Sequence, residues 1–333
     1  MNVKVKVILI VGAMHFTMPA YSQKWKKMSH KIDSVLAVRY QRADVDSDYI
    51  SRPQTKWTIV GRLKGSGAVI QTKAVEDGSL FESEIKSDYK STLSAGVSYL
   101  GASISLAINP AKLLGKYHDY ELNFQSYGKK FGFDISYQDA NKFKGWRQLD
   151  GQDRVNIPKD LLKLRILNVN AFYVFNNRRF SYPAAFAHSY LQKRSAGSLM
   201  FAVSGQGQHG KTKEDNSSER DFHMDFKMTN IGIGAGYGYN YVPAKGWLLH
   251  ISAIPTFIVY SNTSLTVGDT KIPLSYHFPE VIITGRGAVV KQIGNNKFAG
   301  FSSVFNFTNI GNEKSLAIHN IKWLARLYFG FRL

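Results

Sequence analysis

Residues 320–333 read Asn-Ile-Lys-Trp-Leu-Ala-Arg-Leu-Tyr-Phe-Gly-Phe-Arg-Leu, and this stretch decides the fold. From Ile321 to Leu333 every second residue is apolar, and most residues between them are polar, charged or glycine. Successive side chains of a β-strand point to opposite faces, so this segment has one apolar face and one mostly polar face. Such a strand is typical of a membrane β-barrel, with the apolar face toward lipid and the polar face toward the lumen.

The same alternation recurs along the chain and predicts an all-β fold, a transmembrane antiparallel β-barrel of about 12 strands. Short turns such as Gly128-Lys129 alternate with longer connections, and the even strand number places both barrel ends on the periplasmic side. The first strand contains Gly65-Ser66-Gly67 and is one strand or two, and residues 310–317 are predicted as a long connection. A soluble secreted β-sandwich is the architectural alternative. The predicted strands are 56–75, 91–99, 102–109, 118–127, 130–138, 164–175, 196–208, 225–242, 247–260, 281–292, 297–309 and 318–333.

The beginning of the chain has the features of a secretory signal peptide. Lys4 and Lys6 precede a short apolar run, and small residues surround a cleavage point before Gln23. The run is far shorter than the ~20 apolar residues that a transmembrane helix needs. We therefore predict export to the outer membrane of a Gram-negative bacterium. The predicted organisation is a signal peptide at 1–22, a periplasmic segment with a short amphipathic helix at 23–55, and the barrel at 56–333.

The composition limits the partners and the chemistry. The chain has 43 Lys and Arg against 24 Asp and Glu, a formal net charge of +19, and no cysteine, which excludes disulfides and thiol catalysis. Because no nucleic-acid-binding motif accompanies the export signal, we expect outer-membrane lipid, lipopolysaccharide and small anionic solutes as partners, and no nucleic acid. We also expect the C-terminal strand to be recognised by the barrel-assembly machinery.

One connection breaks the rule of alternating lengths. Residues 176–195 lie on the short-turn side but are long, basic and aromatic. A barrel of this size could hold such a segment, which would line or plug the lumen, whereas a structured periplasmic loop is the alternative. We predict that residues in this connection and on the polar face of the last strand line the lumen and bind anions. They are Arg178, Arg179, Tyr182, His188, Lys193, Arg194, Lys322, Arg326 and Arg332.

Catalytic motifs are weak in this sequence. No Gly-x-Ser-x-Gly elbow is present, and His188-Ser189 and His250 with Ser252 are the only suggestive neighbours. Sequence neighbours are poor evidence for a catalytic triad. We therefore predict that the protein is not an enzyme.

A metal-loop pattern also fails. Asp44, Asp46 and Asp48 are spaced as at the start of a calcium loop, but Tyr49 stands where that loop needs glycine. We predict no metal and no cofactor.

Several stretches resemble a known family. They look like an uncharacterised family of predicted bacterial outer-membrane β-barrels that is catalogued as a domain of unknown function. The resemblance covers nearly all of the chain after the signal peptide and implies the barrel and its location, but no substrate or catalytic residue. The stretches are 48–53, Lys56-Trp57, 109–112, 119–123, 179–186 and 192–198.

Three functions are compatible with these features. The first is a pore or binder for small anionic solutes or lipid headgroups, with residues 176–195 lining or plugging the lumen. The second is a sealed structural or anchoring barrel that docks a periplasmic partner. The third is a lipid-modifying barrel enzyme.

Overall fold

The structure is a computed structural model that describes most of the chain after residue 43. It describes Ser34 and residues 44–76, 78–99, 102–108, 120–140, 143–157, 161–212, 224–267, 270–273, 279–312 and 316–333. The predicted signal peptide and nearly all of the predicted amphipathic helix lie outside these residues. Nearly all described residues belong to one compact unit, residues 45–99 with 103–333, which holds the sheet.

Eighteen strands and a short helix are formed by the described residues. The strands are β1 (Ile50–Ser51), β2 (Trp57–Glu76), β3 (Ser79–Ser87), β4 (Lys90–Tyr99), β5 (Ala102–Ile108), β6 (Tyr120–Tyr127), β7 (Phe131–Ala140), β8 (Phe143–Leu149), β9 (Val155–Ile157), β10 (Leu162–Val174), β11 (Leu191–Gln192), β12 (Ala196–Thr212), β13 (Met224–Tyr241), β14 (Trp247–Val267), β15 (Thr270–Pro273), β16 (Val281–Ile293), β17 (Lys297–Asn312) and β18 (Leu316–Arg332). The helix is α1 (Tyr182–Phe186).

Twelve of these strands form one continuous ladder in the order β5-β4-β2-β18-β17-β16-β14-β13-β12-β10-β7-β6. They correspond one to one to the twelve predicted strands. The ladder is antiparallel and curled, and its first and last members, β5 and β6, follow each other along the chain. The predicted fold class, an all-β transmembrane antiparallel barrel of about 12 strands, is confirmed.

The two faces of the ladder have opposite chemistry. On β12, Leu199 is 62% exposed on the outside, whereas Met200 is fully buried and Gln206 is 6% exposed on the inside. Polar side chains are thus buried inside, while large apolar side chains cover the outside, the reverse of a water-soluble protein. A lipid environment explains both faces.

Short turns at 128–130, 242–246 and 294–296 lie at one end of the barrel, called the turn end. Gly246 and Gly294 have φ values of 80° and 62°, a left-handed conformation that favours glycine in such turns. The opposite end is called the loop end. Among the described residues, no helix is long and apolar enough to cross a membrane.

The structure answers one open question of the sequence analysis and corrects one prediction. The first predicted strand is β2 of the structure, a single strand of 20 residues that Gly65-Ser66-Gly67 does not divide. The predicted long connection at 310–317 is wrong, because β17 continues to Asn312 and β18 begins at Leu316. The strands stay paired beyond the apolar belt, since backbone pairing does not depend on an apolar outer face.

An unpredicted side branch of the same sheet extends the loop end. β3 pairs with the second half of β2, β8 pairs with β3, and β9 pairs with β8. These segments are rich in polar residues, as solvated loops are, so sequence patterning alone did not identify them as strands.

Candidate functional site

Residues 176–195, called the plug, connect β10 to β12 at the turn end. The ladder continues to Asn176, whose backbone N–H donates to Ser198 Oγ at 2.9 Å, and the chain then turns to α1. Ser181 caps this helix by accepting from Ala184 N at 3.2 Å, and a proline lies in its first turn. Serine at the cap followed by proline is a standard helix start, so the local sequence explains the inserted turn.

The apolar side chains of the plug pack against the inside of the barrel. Ala184 and Ala185 join buried residues of β2, β14, β16, β17 and β18. Phe180 and Tyr182, both fully buried, join buried residues of β10, β12 and β14. The plug therefore contacts most of the wall and fills the interior at the turn end.

Gln192 fixes the plug with four short hydrogen bonds. Its Nε2 donates to the carbonyl oxygens of Arg179 at 2.6 Å and Arg194 at 2.9 Å. Its Oε1 accepts from the Ser181 backbone N–H at 2.9 Å and from Asn240 Nδ2 at 3.0 Å. Because Gln192 is 9% exposed, these bonds satisfy a buried amide and connect the plug to β13.

Asn240 continues this network to a histidine and a serine on β14. His250 Nδ1 lies 2.7 Å from Asn240 Oδ1, and His250 Nε2 lies 3.0 Å from Ser252 Oγ. The order serine, histidine, amide is that of a catalytic triad. However, rings of Phe180, Tyr182 and Phe186 lie 5.0–5.9 Å from the His250 ring and enclose it.

Residues 46–52, called the covering segment, lie against the outer side of the plug. β1 pairs with β11, and Lys193 N donates to Tyr49 O at 2.7 Å. Arg179 Nε donates to Asp46 Oδ2 at 3.0 Å. A hydrogen bond from the Asp48 backbone N–H, together with Arg179, lowers the pKa of the Asp46 carboxyl below its usual value. Backbone pairing and an exposed ion pair therefore hold the covering segment on the plug.

The predicted anion-binding residues of the plug fall into two groups. Tyr182 and His188 are buried in the barrel. The basic residues are instead exposed at the turn end, where Arg179 and Arg194 lie within 6 Å of the Tyr49 ring. The exposed residues are Arg178, Arg179, Lys193 and Arg194.

His188 occupies an unusual buried position. Its ring lies 4.6 Å from the Phe298 ring and 4.5 Å from the Tyr328 ring, and its carbonyl accepts from Arg332 at 3.5 Å. Its φ of 59° is rare for a non-glycine residue. Burial, and then the charges of Arg62 and Arg332, hold the pKa of His188 well below its usual value, which keeps the ring neutral.

The last strand turns its predicted cations to the inside. Lys322 Nζ donates to Ser136 Oγ of β7 at 2.7 Å, and Arg332 donates to Gln292 Oε1 at 2.6 Å. Arg332 is 1% exposed and lies at the turn end under the plug, whereas Lys322 and Arg326 lie farther along the strand.

Lys64 on β2 is a further cation of the inner face, which the sequence analysis did not include. It is the direct cross-strand partner of Arg326, and Arg62 lies two residues from Lys64 on the same face. We call Arg62, Lys64, Lys322 and Arg326 the basic wall. The sequence analysis did not assign Lys64 to the inner face because the predicted strand contains Gly65-Ser66-Gly67 directly after it. The alternation of Lys64 with the exposed Leu63 could have indicated this position.

Asp134 and Arg286 form a buried ion pair that the sequence analysis also missed. Arg286 donates to Asp134 Oδ2 at 2.5 Å, and the Tyr127 hydroxyl donates to Asp134 Oδ1. The Arg286 guanidinium lies 5.3 Å from the Phe172 ring. Arg286 is the one charged residue in the apolar and glycine-rich segment 281–290, and this isolated charge could have indicated a buried ion pair. Within the part of the chain that the structure describes, no group of three acidic, histidine or cysteine residues could hold a metal ion.

The sequence comparison identifies the family. Residues 44–333 match the model of a family described as a domain of unknown function, DUF4421. The chain belongs to this family. The match includes the covering segment, the plug and the basic wall of this DUF4421 chain. No curated protein sequence matches it.

Solved structures similar to the DUF4421 chain include outer-membrane proteins. The Escherichia coli outer-membrane protease OmpT has 7% identity and a TM-score of 0.45, covering 85% of this chain and 98% of its own. OprG of Pseudomonas aeruginosa has 10% identity and a TM-score of 0.30, covering 85% and 98%. The β domain of the Bordetella autotransporter BrkA has 8% identity and a TM-score of 0.32, covering 82% and 99%. All three TM-scores are below 0.5, so no functional argument follows from them.

Proposed function

We propose that this protein is a non-enzymatic outer-membrane β-barrel that binds small, multiply charged anions in its lumen and does not conduct them freely. The observation that carries the proposal is the direct cross-strand pairing of Lys64 with Arg326 on the inner face. Like charges placed opposite each other destabilise a sheet. A multiply charged anion could bridge these two cations.

The rest of the basic wall supports the same ligand class. Arg62 and Lys322 extend the cationic surface along β2 and β18, and Lys322 reaches Ser136 on the opposite side of the interior. Rings of cations select anions in pores and binding sites. Asp134 is an acidic residue of the interior, but Arg286 already neutralises it.

The plug favours a binder over an open pore. Its completely buried side chains pack against the wall, and the Gln192 bonds hold it in place. An anion entering from the loop end would meet the basic wall before it reached the plug. The outer-membrane location, contact with lipid and lipopolysaccharide, and assembly through the C-terminal strand belong to the same proposal.

Binding of inorganic phosphate to the purified full chain in detergent tests this function by calorimetry. We expect Lys64→Gln and Arg326→Gln each to weaken binding about ten-fold, the loss that corresponds to one hydrogen bond to a charged group. Acetate, with a single charge, should bind more weakly.

The matched control is Lys73→Gln on the outer face of the same strand. It changes the net charge equally but leaves the basic wall intact. If Lys73→Gln weakens phosphate binding as much as Lys64→Gln, the effect is that of net charge and the proposed lumenal site is wrong.

A second candidate function is acyl hydrolysis by Ser252. It is favoured by the Ser252-His250-Asn240 hydrogen bonds, which have the order and distances of a catalytic triad. Ser252 is only 3% exposed and the plug rings enclose His250, so we expect no reaction in the intact barrel. Labelling by a fluorophosphonate probe that disappears in Ser252→Ala would establish this function and replace the binder proposal.

A further inference from the structure

The outer surface of the barrel contains an apolar groove near the turn end. It has a volume of about 760 Å³, within the range of ligand pockets in proteins. Gly61 and Ala299 lie at its floor, and Leu63, Phe301, Leu327 and Phe329 form its sides. Its lining residues come from strands β4, β2, β18, β17, β16 and β14, which are consecutive in the ladder.

Strand register explains why the surface is concave here. Phe329 pairs with Ala299 on one side and with Gly61 on the other, so the smallest side chains flank a large ring. One step along the strands, Phe301 pairs with Leu327, and Leu327 pairs with Leu63. The large residues of that row stand higher than the floor and line the groove on the side of the membrane interior.

A cation and an aromatic residue lie at one end of the groove, where Lys291 is the cross-strand partner of Ala299. Lys291 and Trp247 are cross-strand partners that both line it, and Lys291 Nζ lies 4.4 Å from the Trp247 ring. Lys297, one strand farther, lies 6.0 Å from the Phe331 ring. Tryptophan and lysine of this kind mark the depth at which membrane barrels meet lipid headgroups.

We infer that this groove is a binding site for one anionic phospholipid of the inner leaflet. An acyl chain lies on the Gly61 and Ala299 floor, and the phosphate contacts the Lys291 ammonium. Charge complementarity decides the occupant, because the apolar groove ends in a cation at headgroup depth. The inference rests on the proposed membrane location but not on anion binding in the lumen.

Native mass spectrometry of the full chain, extracted from membranes containing phosphatidylglycerol and phosphatidylethanolamine, tests this inference. Lys291→Gln should retain about five-fold less phosphatidylglycerol, the effect expected for one lysine near a membrane surface. Gly61→Leu should reduce retention of both lipids by filling the floor. A Cβ at Gly61 meets only the Phe329 carbonyl at 3.9 Å, so this variant is expected to fold.

Two matched controls keep the test specific. Lys130→Gln removes an exposed cation from another turn of the same end, and Gly205→Leu fills an outer-face glycine whose added Cβ has its nearest neighbour at 4.0 Å. Both should retain lipid as the parent chain does. The shift in gel mobility on heating reports barrel insertion, so failure of the membrane location is seen separately as loss of that shift.

Each alternative outcome is informative. Unchanged phosphatidylglycerol retention in Lys291→Gln, with a normal heat shift, would overturn the headgroup contact and with it the site. Conversion of a dimer to a monomer by Gly61→Leu, without loss of lipid, would assign the groove to a second copy of the chain and also overturn the inference.

Discussion

At the turn end, the barrel interior is filled by Phe180, Tyr182 and Ala185 of the plug, all fully buried, and by the amide bonds of Gln192. Farther along the same strands, the interior surface carries Lys64 opposite Arg326. The first region has the close apolar contacts of a folded core, together with the hydrogen bonds of Gln192. The second places two cations directly opposite each other across neighbouring strands, a pairing that is unfavourable on its own.

This difference indicates which region is built for stability and which for a ligand. Natural proteins depart from local consistency mostly at functional sites. The plug shows that this barrel can close its interior with well-packed side chains. The basic wall is therefore not a consequence of the fold, and we infer that the two regions have separate roles, closure and anion binding.

Removing the plug should have the largest effect, because it tests whether closure and anion binding are separate roles. We expect replacement of residues 178–195 by a short Gly-Ser linker to convert the closed barrel into an open channel, because β10 and β12 already pair up to Val174 and Met200. Conductance in planar bilayers should rise from background, and the channel should prefer anions. Arg326→Glu in this variant should then shift the selectivity toward cations.

The control places the same linker at residues 243–245, which shortens another turn of the same end. It should leave the conductance at background. Equal conductance of the intact chain and the plug-less variant would show that the plug does not close the barrel.

Truncating the plug core tests the packing half of the comparison. Tyr182→Ala should lower the free energy of unfolding by ~3–5 kcal/mol, the usual loss for a large aromatic residue removed from a core. Urea titration of the refolded barrel in lipid measures this loss. Phe131→Ala is the control, since Phe131 is 66% exposed on the outer face and its removal leaves no internal cavity.

The sequence predicted the ladder well because alternation is a local signal. Each of the twelve predicted strands corresponds to one strand of the structure, from the first at Trp57 to the last at Arg332. The side sheet of β3, β8 and β9 was missed, because pairing of Phe81 with Leu149 depends on chain segments far apart. Extension of β17 to Asn312 was missed because the apolar belt ends earlier than the pairing does.

The candidate site was predictable only in part, for a similar reason. The unusual length and composition of residues 176–195 identified the plug segment, and alternation placed Lys322 and Arg326 on the inner face. The Arg286–Asp134 pair joins residues 152 positions apart, and no sequence period reports such a contact. Exposure of Arg178 and Lys193 likewise depends on how the covering segment pairs with the plug.

Acidification should weaken the packing of the plug through His188. Below pH ~6.5, the usual pKa of histidine, the unfolded chain takes up a proton at His188 that the folded chain does not. Stability should therefore fall with pH by at most ~1.4 kcal/mol per unit from this residue. Arg62 and Arg332 oppose its protonation, and the Phe298 and Tyr328 rings exclude water.

His188→Asn isolates this contribution, because asparagine tolerates the positive φ and does not titrate. Urea midpoints of the parent chain and the variant at pH 7.5, 6.5 and 5.5 should converge as the pH falls. Parallel curves would show that His188 does not couple plug stability to pH.

The smallest expected effect concerns the covering segment, which tests how much the plug depends on contacts outside the barrel. Asp46→Asn removes the exposed ion pair with Arg179 and should speed hydrogen exchange at the Lys193 amide, which donates to Tyr49 O. Global unfolding should not change, since exposed ion pairs contribute little. Asp48→Asn makes the same change of charge but keeps the Asp46 carboxylate and should leave exchange unaltered.

Because the pKa of Asp46 is lowered in the folded chain, the parent contact is present above the usual carboxyl pKa of ~3.9 and is lost as the pH falls below it. At pH values below that range the parent chain and the Asp46→Asn variant, compared at the same pH, should therefore exchange the Lys193 amide at the same rate. A loss of global stability in the variant would mean that the covering segment, and not the internal packing, holds the plug in place.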